Sequence, residues 1–452
     1  MPPRPETLRA AIAGSRASLL ARDRCVRLSD MGRALDRDLS GAQVLLRTSD
    51  QLHAALALIE LDGVAARIVI APPDVKPEHL PSVIERAAID VVVSDDPKLM
   101  VEGMDFAQVT LPKPGKAVVP SHKTEWVLFT SGTTGVPKMV AHTLEGLTGA
   151  IAPAVQDHII WGTFYDIRRY GGLQILLRAL LGAKSLVLSD SHEDVADFLA
   201  RLGKQGVTHL TGTPSHWRRV LMSPASIAPR YVRLSGEIAD QAILDSLKAR
   251  FPDAAIGHAY ASTEAGVGFE VTDGLEGFPV SFIGRPGAVE MKVADGTLHI
   301  RSPRTASGYV GGVPASEGEK KNKRLTTFGF VDTGDMVEQR GERLYFVGRT
   351  GGIINVGGLK INPEEVEAVI NRHPGVRMSR VSGRKSPITG AIVIADVVLD
   401  NTVEGAANHN ATFKQAILNA CRDALPAFKV PAILRFVSAL ELTAGGKLSR
   451  HG

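Results

Sequence analysis

Cysteine is nearly missing from this chain: 452 residues contain two, Cys25 and Cys421, and no C-x-x-C pair. That excludes a disulfide framework and a structural zinc site, and it predicts a reducing compartment, the cytoplasm. Long apolar runs are missing too. The most apolar stretch, Ile175 to Leu188, is interrupted by Arg178 and Lys184, short of the roughly 18 uncharged residues that a membrane span needs. No secretory core is visible among Arg4, Arg9, Arg16 and Arg22. Charge of one sign is scarce as well. The 52 basic and 48 acidic side chains leave a net +4, and the signs are interspersed, which argues against a nucleic-acid partner. The one basic run, Lys320 to Arg324, reads as a solvated loop. Aromatics are only 5%, but apolar residues reach 44% and recur along the whole chain. Disorder is excluded, and at roughly 150 residues per unit the length allows about two to four compact units.

Apolar periodicity sets out the organisation. Leu8, Ile12 and Leu19 predict an amphipathic helix over residues 5–22. Helices and buried strands then alternate: helices at 52–61, 79–88, 173–181 and 194–202, strands at 66–71, 90–94, 185–188 and 207–210. Such alternation predicts an α/β chain, with mostly parallel sheet covered by helices. From about Val280 to Val347 the texture changes to short alternating strands, a β-rich subdomain. Beyond Gly351, helices at 363–371 and 411–424 flank strands at 392–398 and 433–437, a small α+β C-terminal domain. The expected division is an N-terminal domain over 1–350 and a C-terminal domain over 351–452, joined by a hinge.

The chemistry concentrates at one loop. A strand-like run from Trp126 ends at Thr130 and feeds into Ser131, Gly132, Thr133, Thr134, Gly135, Val136, Pro137 and Lys138. Glycines let backbone N–H groups turn toward an anion, hydroxyls add donors and the lysine adds charge, so the loop suits a polyphosphate. The P-loop pattern G-x-x-x-x-G-K-[ST] fails here. Val136 and Pro137 separate Gly135 from Lys138, and Met139 stands where a magnesium-binding hydroxyl belongs. Read alone, a Ser/Thr/Gly loop is most often an ordinary turn.

Read in full, the string resembles the phosphate loop of the AMP-forming adenylating enzymes, the superfamily of acyl- and aryl-CoA synthetases, nonribosomal peptide adenylation domains and luciferase. The resemblance continues in order down nearly the whole chain. Tyr260-Ala261-Ser262-Thr263-Glu264 is similar to the family's Tyr-Gly-x-Thr-Glu, with Ala261 in place of glycine. It implies a tyrosine stacked on adenine, a threonine on the α-phosphate and a glutamate on Mg²⁺. Ser235-Gly236-Glu237 resembles the segment whose backbone runs along adenine, although Glu237 on its own reads as a surface carboxylate. Asp335 with Arg349 resembles the pair at the ATP ribose; in isolation the two residues read equally well as a structural ion pair. Residues 357–367, ending Pro363-Glu364-Glu365-Val366-Glu367, resemble the opening of the terminal domain, and are also an ordinary helix start. Lys447, in Thr443-Ala-Gly-Gly-Lys447-Leu-Ser-Arg450, resembles the lysine that holds the acid carboxylate and α-phosphate together.

The resemblance implies an enzyme that uses ATP and Mg²⁺ to convert a small carboxylic acid to an acyl-adenylate, releasing pyrophosphate. A thiol, that of coenzyme A or of a carrier-protein phosphopantetheine, then takes the acyl group. Oxidative luciferase-like chemistry is disfavoured. A competing reading is a catalytically degenerate homologue that only binds. Further departures from the pattern stand out. Gly351, followed by Gly352, replaces the usual Asp or Lys hinge, and Asn355 replaces a usual lysine. Little sequence separates the first helix from that at Leu52, so some strand pairing is expected to be missing. The acid-pocket segment reads Phe164-Tyr165-Asp166-Ile167-Arg168-Arg169-Tyr170. Counting back from Gly182-Ala183 puts Arg169, not Asp166, where amino-acid adenylation domains carry their aspartate. Either the segment is a helix start with solvated arginines, or Arg168 or Arg169 faces a polar group of the acid.

Overall fold

The computed structural model describes residues 5–130, 137–152, 158–312, 329–386, 390–400 and 410–449. The basic run Lys320 to Arg324 lies outside them. Two eight-stranded sheets enclose a layer of helices. The first runs, in spatial order, Gly266–Val271, Ala255–Ser262, Tyr231–Ser235, His209–Gly212, Ile160–Thr163, Ser185–Val187, Ser18–Leu20 and Cys25–Arg27. It is parallel through its centre and antiparallel at both edges. The second runs Gly308–Tyr309, Met139–His142, Glu125–Phe129, Arg67–Ile70, Gln43–Leu46, Val91–Ser94, Asp105–Lys113 and Arg33–Leu35. Strands such as Val91–Ser94 are buried at every residue, which is why they read as continuous apolar runs rather than alternating ones.

The helices Leu8–Ile12, Gln51–Leu61 and Tyr170–Leu181 fill the layer between the sheets. All 11 residues of Gln51–Leu61 are buried, so the helix is apolar nearly all round. Its Glu60 Oε2 accepts from the backbone N–H groups of Ala34 and Leu35, at 2.5 and 3.1 Å. The outer face of the first sheet is covered by helices Val195–Lys204, Pro214–Met222 and Gln241–Arg250, and that of the second by Leu80–Ala87.

The first 50 residues depart from the sequence reading. The opening helix stops at Ile12, because Ala13 turns out of helical geometry and Gly14 takes φ +71°. Leu19 sits instead in a strand paired with Leu186. Strands Ser18–Leu20, Cys25–Arg27, Arg33–Leu35 and Gln43–Leu46 lie between Ile12 and Gln51, so the expected gap in strand pairing is filled. Three or four residues are too few to print a period of two.

A five-stranded antiparallel sheet follows, in the order Phe278–Pro279, Arg343–Arg349, Val331–Arg340, Thr297–Arg301 and Glu290–Ala294. After Gly351 come the hairpin Ile354–Val356/Leu359–Ile361 and a sheet of Val376–Ser386, Gly390–Leu399 and Ile433–Phe436. Helices Pro363–Asn371 and Asn410–Ala424 pack on that sheet around a core including Ile361, Val366, Val397 and Leu434. No helix among the described residues is long and apolar enough to cross a membrane.

Candidate active site

The parallel strands of the first sheet end together at Thr163, Gly212 and Ser235, and the loops beyond these ends carry most of the candidate residues, as expected for an α/β sheet. In the second sheet, Thr130 closes the strand Glu125–Phe129. Its N–H donates to the Lys138 carbonyl at 3.0 Å, so Thr130 and Lys138 face each other at the two ends of the hydroxyl-and-glycine segment, beside the antiparallel pair Glu125–Phe129 and Met139–His142. Lys138 is half-buried at its far end. Ser131, Gly132, Thr133, Thr134 and Gly135 lie outside the described residues.

Tyr260, Asp335 and Arg349 are connected in series. The Tyr260 hydroxyl donates to Asp335 Oδ2 at 2.5 Å, and Arg349 Nε meets Asp335 Oδ1 at 2.7 Å. Asp335 and Arg349 are cross-strand partners. The Tyr260 ring lies parallel to those of Phe346 and Phe269, with centroids 5.2 and 5.7 Å away. Burial first, and then the Asp335 carboxylate, hold the Tyr260 hydroxyl well above the usual phenol range. Burial alone would lower Arg349, but Asp335, Tyr260 and Glu264 carry it above the usual value; Glu264 is therefore part of the same electrostatic group. Thr263 and Glu264 occupy the turn between Ala255–Ser262 and Gly266–Val271. That turn depends on Gly266, at φ +76°, where a Cβ would lie 2.5 Å from the Arg304 carbonyl oxygen. A bulge sits just before it: Tyr260 pairs with Phe269 but Ala261 with Val267, and Ala261 packs on the core between the sheets.

Lys447 arrives from the terminal unit on a tight loop in which the Thr443 N–H donates to the Lys447 carbonyl at 2.7 Å. The N-terminal part grips this loop twice. Thr213 Oγ1 donates to the Gly446 carbonyl at 2.6 Å, and the Leu448 N–H donates to Glu237 Oε1 at 2.7 Å. Glu237 also accepts from the Ser215 N–H at 2.9 Å, so it is a clamp and not the surface carboxylate of the bland reading. A Cβ on Gly236 would stand 3.4 Å from Lys447 Cε. Burial, followed by the charges of Arg349 and Arg169, pulls the Lys447 ammonium below the usual lysine range, against Glu237 and Asp335. Candidates from six separated segments thus meet around one lysine. Gly351 and Gly352 are exposed, and neither adopts a positive φ.

Gly446 explains why the loop can come so close. It takes φ +71°, and a Cβ there would fall 1.8 Å from Cε1 of His216. His216 stacks on Phe164 at 5.2 Å and is held neutral by burial, which pushes its pKa down to about 3. Gly446→Ala is therefore expected to displace the loop and slow acid-dependent pyrophosphate release by about 10²-fold, with an unchanged melting temperature. A wild-type rate would show that this approach is not used.

In the pocket segment the two arginines part. Arg168 is buried and paired with Asp166 through Nε–Oδ1 (2.9 Å) and Nη2–Oδ2 (2.6 Å), and its Nη1 donates to the Thr48 carbonyl at 2.6 Å. Two residues apart, the carboxylate folds back on its own neighbour's guanidinium, so Asp166 and Arg168 form an internal strut. They are neither solvated nor aimed at a ligand. Tyr165 donates to the Ser235 carbonyl at 2.8 Å. Arg169, just ahead of the Tyr170–Leu181 helix, pairs with Asp74 and lies within the field of Lys447. Thr213, His216 and Arg233 were missed. Thr213-Pro214-Ser215-His216 carried a readable signal, a capped helix start with proline in its first turn. Arg233 carried another, a charge inside the buried strand Tyr231–Ser235.

The AMP-binding enzyme family matches residues 38–310, and the AMP-binding enzyme C-terminal domain matches residues 365–447. The chain belongs to the AMP-binding enzyme family. It is similar to the 2-succinylbenzoate–CoA ligase of Listeria monocytogenes serotype 4b, 28% identical over 72% of this chain and 68% of that protein. It is also similar to a probable non-canonical nonribosomal peptide synthetase of Salinispora arenicola, 29% identical over 72% of this chain but 4% of that protein. Among solved structures, it resembles the Bacillus subtilis o-succinylbenzoate CoA synthetase in complex with its acyl-adenylate intermediate. There the TM-score is 0.76 at 18% identity, covering 99% of this chain and 97% of that one. The ATP-bound MatB of Rhodopseudomonas palustris gives 0.76 at 19% identity, covering 99% and 97%. These two likenesses establish the fold of this AMP-binding enzyme over nearly its full length.

Proposed function

We propose that this AMP-binding enzyme is an AMP-forming acid–thiol ligase that activates a small carboxylic acid and passes it to coenzyme A. The observation that carries the reading is Lys447, brought from the terminal unit into a group with Arg349, Asp335, Glu237 and Arg169. A carboxylate is a poor electrophile, because its leaving group would be oxide. Attack of one carboxylate oxygen on the α-phosphorus of ATP forms a C–O–P bond and expels pyrophosphate. A thiolate then attacks the acyl carbon, and the C–O bond breaks to release AMP. No nucleophilic side chain of the protein is needed; positioning and charge neutralisation suffice.

In this reading Asp335 accepts from the ribose hydroxyls and Arg349 orients it, while Tyr260 presents an aromatic face to adenine with Ser235 and Gly236 beside it. Thr130 to Lys138 hold the outgoing phosphates, and Thr263 contacts the α-phosphate. Lys447 neutralises the carboxylate and α-phosphate as they meet, with Arg169 beside it. Mg²⁺ fits at Glu264, a hard carboxylate ligand that makes no hydrogen bond to a described residue; when bound, it would neutralise phosphate charge. Gly351, in a wide φ/ψ range, serves as the hinge between 1–350 and 351–452, letting Lys447 leave before the thiol attacks. The free Cys25 and Cys421 support a reducing compartment, the cytoplasm. The likeness to a peptide synthetase keeps a carrier-protein thiol as the second reading.

An acid-library screen for pyrophosphate release, with and without coenzyme A, tests this. Acid-dependent release followed by a CoA thioester is expected; a thioester seen only with a carrier protein selects the second reading, and no release with any acid selects a degenerate binding protein. The pH profile tests Lys447 separately. Lysine is charged below its pKa, and here burial and Arg349 lower that pKa. Adenylate formation should therefore fall as pH rises, at a pH below that of a free lysine, and Lys447→Arg should move the loss to higher pH. Thioester formation from a supplied adenylate should lack that limb.

A further inference from the structure

We infer that Arg233 selects the acid, and that the acid it selects carries a second anionic group, a distal carboxylate being the simplest case; this rests on the ligase reading above. Arg233 lies two residues before Ser235 on one strand, so the two side chains leave the same face of the sheet. Val232 and Leu234 pack on the opposite face, under the helices Pro214–Met222 and Gln241–Arg250. The Arg233 face is therefore turned toward the helix Tyr170–Leu181, in the layer between the sheets. Ser235 marks the reacting end: its carbonyl accepts from Tyr165, and the next residue, Gly236, approaches Lys447. An acid whose carboxylate meets Lys447 extends along Tyr165 and Tyr170 toward Arg233, and both tyrosines lie within the field of its charge.

Arg233 is 9% exposed, and its Nε is buried without a hydrogen-bond partner. The carboxylate of Glu270 stands 4.0 Å away, with the same oxygen already accepting from the Tyr231 hydroxyl. A second guanidinium, that of Arg178 on the Tyr170–Leu181 helix, lies over the Trp161 ring at 5.9 Å, and its Nε is also buried and unbonded. Burial first, and then the charge of Arg233, hold Arg178 below the usual arginine range. Two guanidinium groups thus share one carboxylate, an imbalance that is costly in a protein interior.

The arginines that serve as struts in this chain look different. Arg168, Arg218 and Arg380 each donate to a carbonyl and a carboxylate. Arg233 donates to no described residue. An incoming carboxylate matches its planar donor fork and removes the charge imbalance. Arg169, beside Lys447, attends the reacting end of the acid, and Arg233 attends the far end.

The test is ATP–pyrophosphate exchange with dicarboxylic acids and their half-amides, in aliphatic and aryl series. Wild-type enzyme is expected to prefer each favoured diacid over its half-amide by at least about 10-fold in kcat/KM. Arg233→Met should reverse that order without changing the KM for ATP, and Arg233→Lys should keep the order with a raised KM for the diacid. Melting temperatures report whether each variant folds. Should Arg233→Met not fold, Arg178→Met is expected to shrink the same preference. A wild-type preference for half-amides, or a folded Arg233→Met enzyme that keeps the diacid preference, overturns the inference. Half-amides are themselves carboxylic acids, so exchange confined to them leaves the ligase reading standing; exchange with no acid removes both.

Discussion

Replacing Lys447 by alanine is expected to slow adenylate formation by about 10²–10³-fold, the loss typical when one preorganised charge or donor is removed from a developing transition state. Thioester formation from a supplied acyl-adenylate should stay within a few-fold of wild type. The asymmetry follows from how Lys447 is held. Its loop belongs to the terminal unit and is held at the site by hydrogen bonds with the Thr213 hydroxyl and the Glu237 carboxylate, at 2.6 and 2.7 Å. In the proposed two-step reading the loop leaves once pyrophosphate has gone and the thiol needs room. Separate assays of the two half-reactions decide the matter. Equal loss in both would mean that Lys447 supports the interface or the fold instead of one chemical step.

Asp335→Ala is expected to weaken ATP use by about 2–4 kcal/mol, the scale of lost charge-assisted hydrogen bonds, with the order of preference among acids unchanged. Asp335 accepts from both Tyr260 and Arg349, so its removal also leaves Arg349 without its ion pair near Lys447. The KM for ATP is the readout. A wild-type value would take Asp335 out of the nucleotide site.

The sequence exposed those parts of the molecule that depend on local chemistry. Pro363 followed by acidic residues announced a helix, and the structure starts one there, at Pro363–Asn371. Buried strands such as Val91–Ser94 were legible because both faces are covered. The motif residues Tyr260, Asp335, Arg349 and Lys447 could be named because their spacing is specific. What was hidden depends on long-range packing. Nothing near Arg168 foretells that its Nη1 reaches the backbone carbonyl of Thr48, and the register of the first three-residue strands is set by neighbours far along the chain. The approach of Gly446 to His216 joins residues from two units, which no local pattern records. Arg233 was readable only as a charge in an apolar strand, and its meaning needed the face of the sheet.

Isotope transfer shows whether the acid attacks the α-phosphorus of ATP. A substrate acid labelled with ¹⁸O in its carboxylate is incubated with the enzyme, ATP and coenzyme A, and the products are resolved by mass spectrometry. One ¹⁸O atom per turnover should appear in AMP, because the oxygen that bridges carbon and phosphorus leaves with phosphorus when the thiol attacks. Label in inorganic phosphate, with ADP as the nucleotide product, would place the attack at the γ-phosphorus and contradict the account.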